Sequence, residues 1–261
     1  MTDRATSESS VGLGAPRTVT GTLRYVISRP RRDPVLFVPF LLAGIVVTLL
    51  DEARRRDPIP ARSTSRAGDI EIGFELFSIP GGRQTTARTL GGLLDLQPRL
   101  LSWALGLELL CAVVVALAGY ITLSRLLGTA WSPTAAGTYL LYVGLITGVR
   151  WPVGQFDFAF RWWLLVILWP FIIIALAIAA QLFAVPAAIA DGDGLVAAIK
   201  RSNTAVRGRS FWIIGVIAAL EFATWVVSFV PFVPTLASFS LVGPLHALAV
   251  AVVYETRTAS E

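Results

Sequence analysis

Residues 210–254 read SFWIIGVIAALEFATWVVSFVPFVPTLASFSLVGPLHALAVAVVY, with Glu221 as the single charged side chain. A soluble domain carries about a quarter charged residues, and a run this bare cannot cover a surface that faces water. A bilayer core of roughly 30 Å is crossed by about 20 apolar helical residues. The segment therefore reads as two spans, residues 210–229 and 234–254, joined by a tight hairpin at Val230-Pro231-Phe232-Val233. Residues 35–50 are likewise free of charge. The whole chain has 55% hydrophobic and 15% charged residues and a mean hydropathy of +0.69. It reads as an integral membrane protein. Disorder, a disulfide scaffold (Cys111 is the one cysteine) and nucleic-acid binding are excluded by the same composition.

Working outward, the pattern gives six spans in an all-α polytopic bundle. The others lie at residues 34–50, 101–123, 134–149 and 162–190, and the third is the weakest. The fourth exceeds one crossing and contains Pro170 and Pro186, so a tilted or kinked helix is expected there. Pro244 predicts a kink in the sixth. Trp162, Trp163, Trp212 and Trp225 fall near span ends, where amphipathic aromatics sit at the interface.

Basic residues number 22 against 17 acidic ones, a balance of +5, and all the basic residues except Lys200 are Arg. The arginine bias suggests a GC-rich prokaryotic genome. In a membrane protein such residues mainly set orientation beside an anionic inner leaflet. With the N-terminus inside, inner segments hold Arg4, Arg17, Arg24, Arg29, Arg31 and Arg32, then Arg125, then Lys200, Arg201, Arg207 and Arg209, then Arg257. The short outer segments hold only Arg150 and Arg161. Both termini are thus expected in the cytoplasm of a multi-pass cell-membrane protein, with residues 1–33 a polar N-terminus and 255–261 a tail. Arg54-Arg55-Arg56, just past the first span, runs against this pattern. No cleaved signal peptide is expected, because the first apolar run begins too late for one.

Outside the membrane, residues 51–99 form the only sizeable outer loop. Its start reads as loop from Pro, Ser and Gly; Ile70, Ile72, Phe74 and Leu76 alternate as in a short strand. Residues 85–96 have mixed helical spacing and suggest an amphipathic surface helix. On the inner side, residues 193–208 predict a second amphipathic helix, N-capped by Asp193 and ended by Gly208. Leu195, Ala198, Ile199, Ser202 and Val206 share one of its faces. Lys200, Arg201, Arg207 and Arg209 make it a basic, membrane-surface element whose partners are lipids. Asp191-Gly192-Asp193 echoes a calcium loop, but the rest of the ligand pattern is missing.

Ionisable residues within spans are costly and mark functional sites by default. Glu221, near the middle of the fifth span, His246, at similar depth in the sixth, and Glu108, a third of the way along the second, form the candidate ligand-binding set. If Glu221 and His246 meet, they could hold a proton or a polar ligand group. The structural alternative is a protonated Glu221 bonded to Thr224, Ser228 or a backbone carbonyl, with His246 an interior polar residue. Gly144 and Gly148 share a face of the third span, where a neighbouring helix could approach closely, and Gln181 could bond across helices. No nucleophile elbow, zinc ligand set or P-loop is present, so no cofactor and no catalytic residue are expected.

The stretch FAVPAAIADGDGLVAAIKRSNTAVRGRSFWIIGVI, through Pro186, Gly194, Ala198, Lys200, Ser202, Gly208 and Trp212, resembles the six-helix membrane domain of glycerophosphodiester phosphodiesterases. It also resembles related archaeal and bacterial membrane proteins of unknown function. Arg29-Pro30 and Asp33-Pro34 resemble the entry to the same domain. The resemblance implies a similar helical layout; the soluble catalytic barrel of those enzymes has no counterpart here. A non-enzymatic scaffold, assembly or lipid-organising component is therefore the first expectation, with a membrane protein as possible partner and oligomeric state open. A small transporter or permease subunit using Glu221, His246 and Glu108 is the second, and an intramembrane lipid-modifying enzyme the third.

Overall fold

The computed structural model describes residues 18–28, 33–63, 79–88, 92–93, 96–153, 162–230 and 233–258. It is an all-α bundle. Among the described residues, five helical stretches are long and apolar enough to cross a membrane: Pro34–Arg56, Pro98–Leu127, Ile173–Ala190, Ser210–Val227 and Pro234–Thr256. Pro133–Val149 is a shorter apolar helix in the place of the weak third span. Leucines 42, 49, 109 and 141, with Val149, Ile174 and Phe222, stand exposed on the flanks of these helices. Apolar exposure on that scale suits lipid as the solvent rather than water.

Helix α1 (Val19–Ser28) lies within the stretch read as a polar N-terminus. Val26 and Thr22 are buried, and the helix packs on α8 (Ser210–Val227) and α10 (Gly243–Thr258). Helix α2 (Val38–Arg56), opened by the 3-10 turn Pro34–Phe37, packs along α3 (Pro98–Leu127). At about 1.5 Å per residue α3 is roughly 45 Å long, so it outreaches the bilayer core. Pro98 starts it, and Gly128 in the left-handed region ends it. The antiparallel pair β1 (Ala61–Ser63) and β2 (Thr86–Arg88) lies between these two helices in sequence. Ile59 and Leu93 join Ala104, on the first turns of α3, in a small second core.

After α4 (Pro133–Val153), the long fourth apolar run is interrupted just before Pro186, within the stretch Ile173–Ala190, as the kink expected there requires. Helix α5 (Trp162–Leu182) stops, Phe183 and Ala184 turn, and α6 (Val185–Ala190) follows with every residue buried. Pro186 has no N–H to continue the ladder, and the Ser202 hydroxyl donates to the Gln181 carbonyl at 2.5 Å, occupying an acceptor that the break exposes. The Gln181 side chain itself is exposed, so the interhelical bond runs through its backbone. Gly192, at φ 107°, closes α6: its N–H donates to Ile189 and that of Asp193 to Ala188. Those are the two bonds of a Schellman cap, which favours glycine at the left-handed position.

Helix α7 (Leu195–Val206) then leads to α8. In the last span α9 (Pro234–Ala237) widens into a π-turn at Ser238–Val242 before α10. Pro244 cannot donate a backbone bond and its ring crowds the carbonyl four residues back. The π-turn takes up that mismatch, as π-bulges do at sites of local strain. Residues 246–254 of α10 are all buried, which makes it the central helix of the bundle.

The turns fall at two ends. One end collects the Asp33–Arg125 pair (3.2 Å), the Arg209 to Thr256 bond (3.3 Å) and the Tyr254 to Asp191 bond (2.6 Å). The other collects the end of α2, the strand pair, the start of α3 and the start of α9.

Several sequence expectations change. Asp51 does not end the first helix, which runs on to Arg56. Thr86–Arg88 is a strand paired to Ala61–Ser63, not the start of a surface helix, and β1 lies in the stretch read as plain loop. The alternating residues 70–76 lie outside the described residues. Gly144 and Gly148 face outward, and a methyl group added at either would meet nothing within 4 Å, so no described helix approaches there. Ile199 turns outward with Val196, because the docked face of α7 is Ala198, Ser202, Ala205 and Val206.

Candidate functional site: a buried charge cluster beneath a threaded strap

The last turn and a half of α2 carries DEARRR. Within a helix, residues three and four apart share a face. Glu52 thus reaches Arg56 at 2.8 Å on the exposed side, while Asp51 reaches Arg54 at 3.0 Å on the buried side. The Arg54 side chain is fully buried, and its guanidinium is met in three directions. Nε and Nη2 donate to the two oxygens of Glu108 at 2.9 and 3.0 Å, a bidentate fork. Nη1 donates to Asp51 Oδ1 at 3.0 Å and approaches Gln84 Oε1 at 3.5 Å. Planar two-point pairing of this kind is the strong form of a charge-assisted bond.

Asp51 is the hub. Its carboxylate accepts from Arg54, from the Thr85 backbone N–H (3.2 Å), and from the hydroxyls of Thr85 (2.8 Å), Thr86 (2.5 Å) and Thr235 (2.7 Å). Four parts of the chain therefore meet at one side chain: α2, the strap of residues 79–88, α9 and, through Arg54, α3. The strap is threaded rather than draped. A Cβ on Gly82 would run into the backbone of Phe239, the Arg83 N–H donates to Ser238 Oγ at 2.8 Å, and Gln84 Nε2 donates to Cys111 Sγ at 3.0 Å. At its far end, Arg88 pairs with Asp57 and lies 3.9 Å from Glu108, and Trp103 Nε1 donates to Asp57 at 3.2 Å. Beside the strap is a cleft of about 90 Å³, bounded by Gln84, Glu108, Cys111, Thr147 and Phe239. The Glu108 side chain keeps 28% of its surface exposed.

A buried ion pair gives little net stability over an apolar replacement, but losing one partner leaves a charge stranded and is costly. What the cluster does well is specify position. Only one register of residues 83–86 presents an amide and two hydroxyls to Asp51 while Gln84 faces Arg54 and Cys111.

The three sequence-nominated residues are not brought together by hydrogen bonds. Glu108 belongs to this cluster. His246 is fully buried in α10, stacked on Phe183 at 5.5 Å between ring centroids, and neither ring nitrogen has a hydrogen-bond partner. It is therefore not bonded to Glu221. Glu221 is half-buried on α8, and the Thr224 and Ser228 hydroxyls named beside it donate to the carbonyls of Leu220 and Trp225. Of the basic surface set, Lys200 and Arg207 are exposed and Arg209 bonds Thr256. Arg201 is partly exposed but paired: it donates to Asp191 (3.2 Å) and Asp193 (3.0 Å) and lies 4.9 Å from the centroid of the Tyr254 ring. Partial burial works against its charge, but the Asp193 hydrogen bond and its neighbours outweigh that, so its proton affinity is raised.

Asp51, Arg54, Thr85, Thr86, Arg88 and Thr235 are not nominated as site residues by the sequence; Arg54 stands out there only as charge on the unexpected side. The available signal was Asp51 and Arg54 three apart at the end of an apolar run, with Glu108 in the next span to receive the arginine. Among the described residues no group of three or more His, Cys, Asp or Glu side chains is placed to hold a metal. No family model, no curated protein and no solved structure matches the chain.

Proposed function

We propose that this chain is a non-enzymatic multi-pass component of the cell membrane, a scaffold, assembly or lipid-organising factor, with both termini on the cytoplasmic side. The observation that carries the reading is the Asp51–Arg54–Glu108 cluster. It commits ionisable side chains at the membrane boundary to holding residues 79–88 in one place, which builds a fixed cap at one end of the bundle. A fixed cap suits presentation to a partner, whereas solute passage needs polar groups free to change partners. The orientation rests on Arg125, Lys200, Arg201, Arg207 and Arg209 at the opposite end. At the cap, Arg54 and Arg56 have carboxylate partners close by. The resemblance to a non-catalytic six-helix membrane domain points the same way.

Native mass spectrometry of the full chain, extracted from its own membrane in a mild mimetic, tests this. A stoichiometric protein partner or a retained lipid supports it. A chain that emerges with neither, and that moves a solute when reconstituted alone, overturns it. A transporter is the second reading, favoured by the cleft beside Glu108; there Glu108→Gln would abolish flux in chains that thermal unfolding shows to be folded.

A further inference from the structure

The basic end of the bundle bears an outward stripe that its internal contacts do not use. On α7 the buried positions Ala198, Ser202, Ala205 and Val206 fix the docked face. At 100° per residue the opposite side is Val196, Lys200, Asn203 and Arg207, all exposed. Lys200 and Arg207, two turns apart, are separated by about 10 Å along the axis.

This surface is ill suited to water. Val196 is 67% exposed and Ile199, on its flank, 39%. Phe211, on the first turn of α8 and four residues after Arg207, is 93% exposed. It is also ill suited to a purely apolar environment, because two cations and an amide share the stripe. Charge supplies the rest. Across residues 191–212 there are four basic side chains (Lys200, Arg201, Arg207, Arg209) and two acidic ones (Asp191, Asp193), a balance of 4 − 2 = +2. Arg201 is turned to both aspartates, and Tyr254 also donates to Asp191. The acids are thus paired to Arg201 and Tyr254, and Lys200 and Arg207 are left facing out. A basic face with apolar side chains beside it matches the boundary between phosphate and acyl chain of an anionic lipid leaflet.

We propose that the stripe Val196, Lys200, Asn203 and Arg207, with Phe211 beside it, is a docking site for the headgroup of an anionic phospholipid. Lys200 and Arg207 meet the phosphate charge, Asn203 donates between them, and Phe211 and Ile199 lie against the acyl chains. The proposal deepens the lipid-organising reading and rests on it. It also divides the basic set by role: Lys200 and Arg207 select lipid, whereas Arg201 holds α7 to α6 and α10.

The test uses the full chain in bilayer discs of phosphatidylcholine with increasing phosphatidylglycerol, scoring retained lipids by native mass spectrometry. A charge near an anionic surface is worth about five-fold in binding. Lys200→Gln with Arg207→Gln should therefore reduce the preference for phosphatidylglycerol by roughly twenty-five-fold. Arg56→Gln with Arg99→Gln removes equal charge from exposed side chains at the other end and should leave it unchanged. Normal thermal unfolding of both variants shows that the bundle is intact. An unchanged preference in the Lys200/Arg207 variant, or equal loss in both, overturns the site while leaving the lipid-organising reading in place. No preference in the wild-type chain overturns the site and the lipid-organising reading together, and a retained protein partner then leaves the scaffold or assembly reading. A dimer that the Lys200/Arg207 variant dissolves would assign the face to a second copy and also overturn the proposal.

Discussion

Asp51→Asn separates a positioning cluster from a decorative one. The carboxylate accepts five hydrogen bonds, from Arg54 and Thr86 on Oδ1 and from the Thr85 amide, Thr85 hydroxyl and Thr235 hydroxyl on Oδ2. Asparagine keeps one acceptor oxygen. If its NH2 replaces Oδ2, it faces the Thr85 N–H, donor against donor; if it replaces Oδ1, it faces the Arg54 guanidinium. Rotating hydroxyls can adapt to either choice, but the amide and the guanidinium cannot. Either way Arg54 loses the charge of one of its two carboxylate partners. Bonds to a charged group are worth about 1.5–3 kcal/mol each, and breaking a buried pair costs about 3–5 kcal/mol. The strap should therefore open more easily by about 3–5 kcal/mol, roughly a hundred- to several-thousand-fold in its opening equilibrium. Amide hydrogen exchange over residues 79–88, with the Thr85 amide as reporter, measures this directly. Glu52→Gln is the control, since Glu52 is an exposed partner of Arg56; an exposed pair is worth about 0.5 kcal/mol. Wild-type protection of the strap in a folded Asp51→Asn chain would refute the reasoning.

Other expectations follow from neighbouring geometry. Gly82→Ala should destabilise by about 1–3 kcal/mol, because the new methyl meets the Phe239 backbone and must push the strap out. Gly144→Ala, in open helix, should be neutral or stabilise by up to about 1 kcal/mol; denaturant unfolding of the two variants side by side checks the contrast. Cys111, buried and bonded by Gln84, should react slowly with a maleimide in the folded chain and faster in Asp51→Asn. Equal rates in folded and denatured wild type would place the thiol in the open. His246→Leu, similar in volume, should leave stability unchanged or raise it by about 1 kcal/mol, because the ring stacks on Phe183 and neither nitrogen has a partner to lose. A loss above about 2 kcal/mol in thermal unfolding would show that the imidazole has a polar partner.

The amino-acid sequence by itself determined that the chain crosses a membrane as helices, and nearly where. Apolar runs are local, and a bilayer of fixed thickness reads their length directly. That is why the spans at 101–123 and 234–254 fall inside α3 and the α9–α10 helix, and the span at 210–229 outruns α8 by two residues. The kink at Phe183-Ala184 was legible in Pro186, which cannot continue the backbone ladder. What only the tertiary structure decided was the partner of each polar residue. Asp51 and Thr235 are 184 positions apart, and Arg54 and Glu108 are 54 apart. No period links them, so composition alone made Asp51 and Arg54 look like the end of a span. Arg201 shows the same limit at the other end: with Lys200 it read as free surface charge, and the positions of Asp191, Asp193 and Tyr254 pair it. Hydrophobic length is additive along the chain, while the desolvation of a charge is settled by whichever groups packing brings beside it.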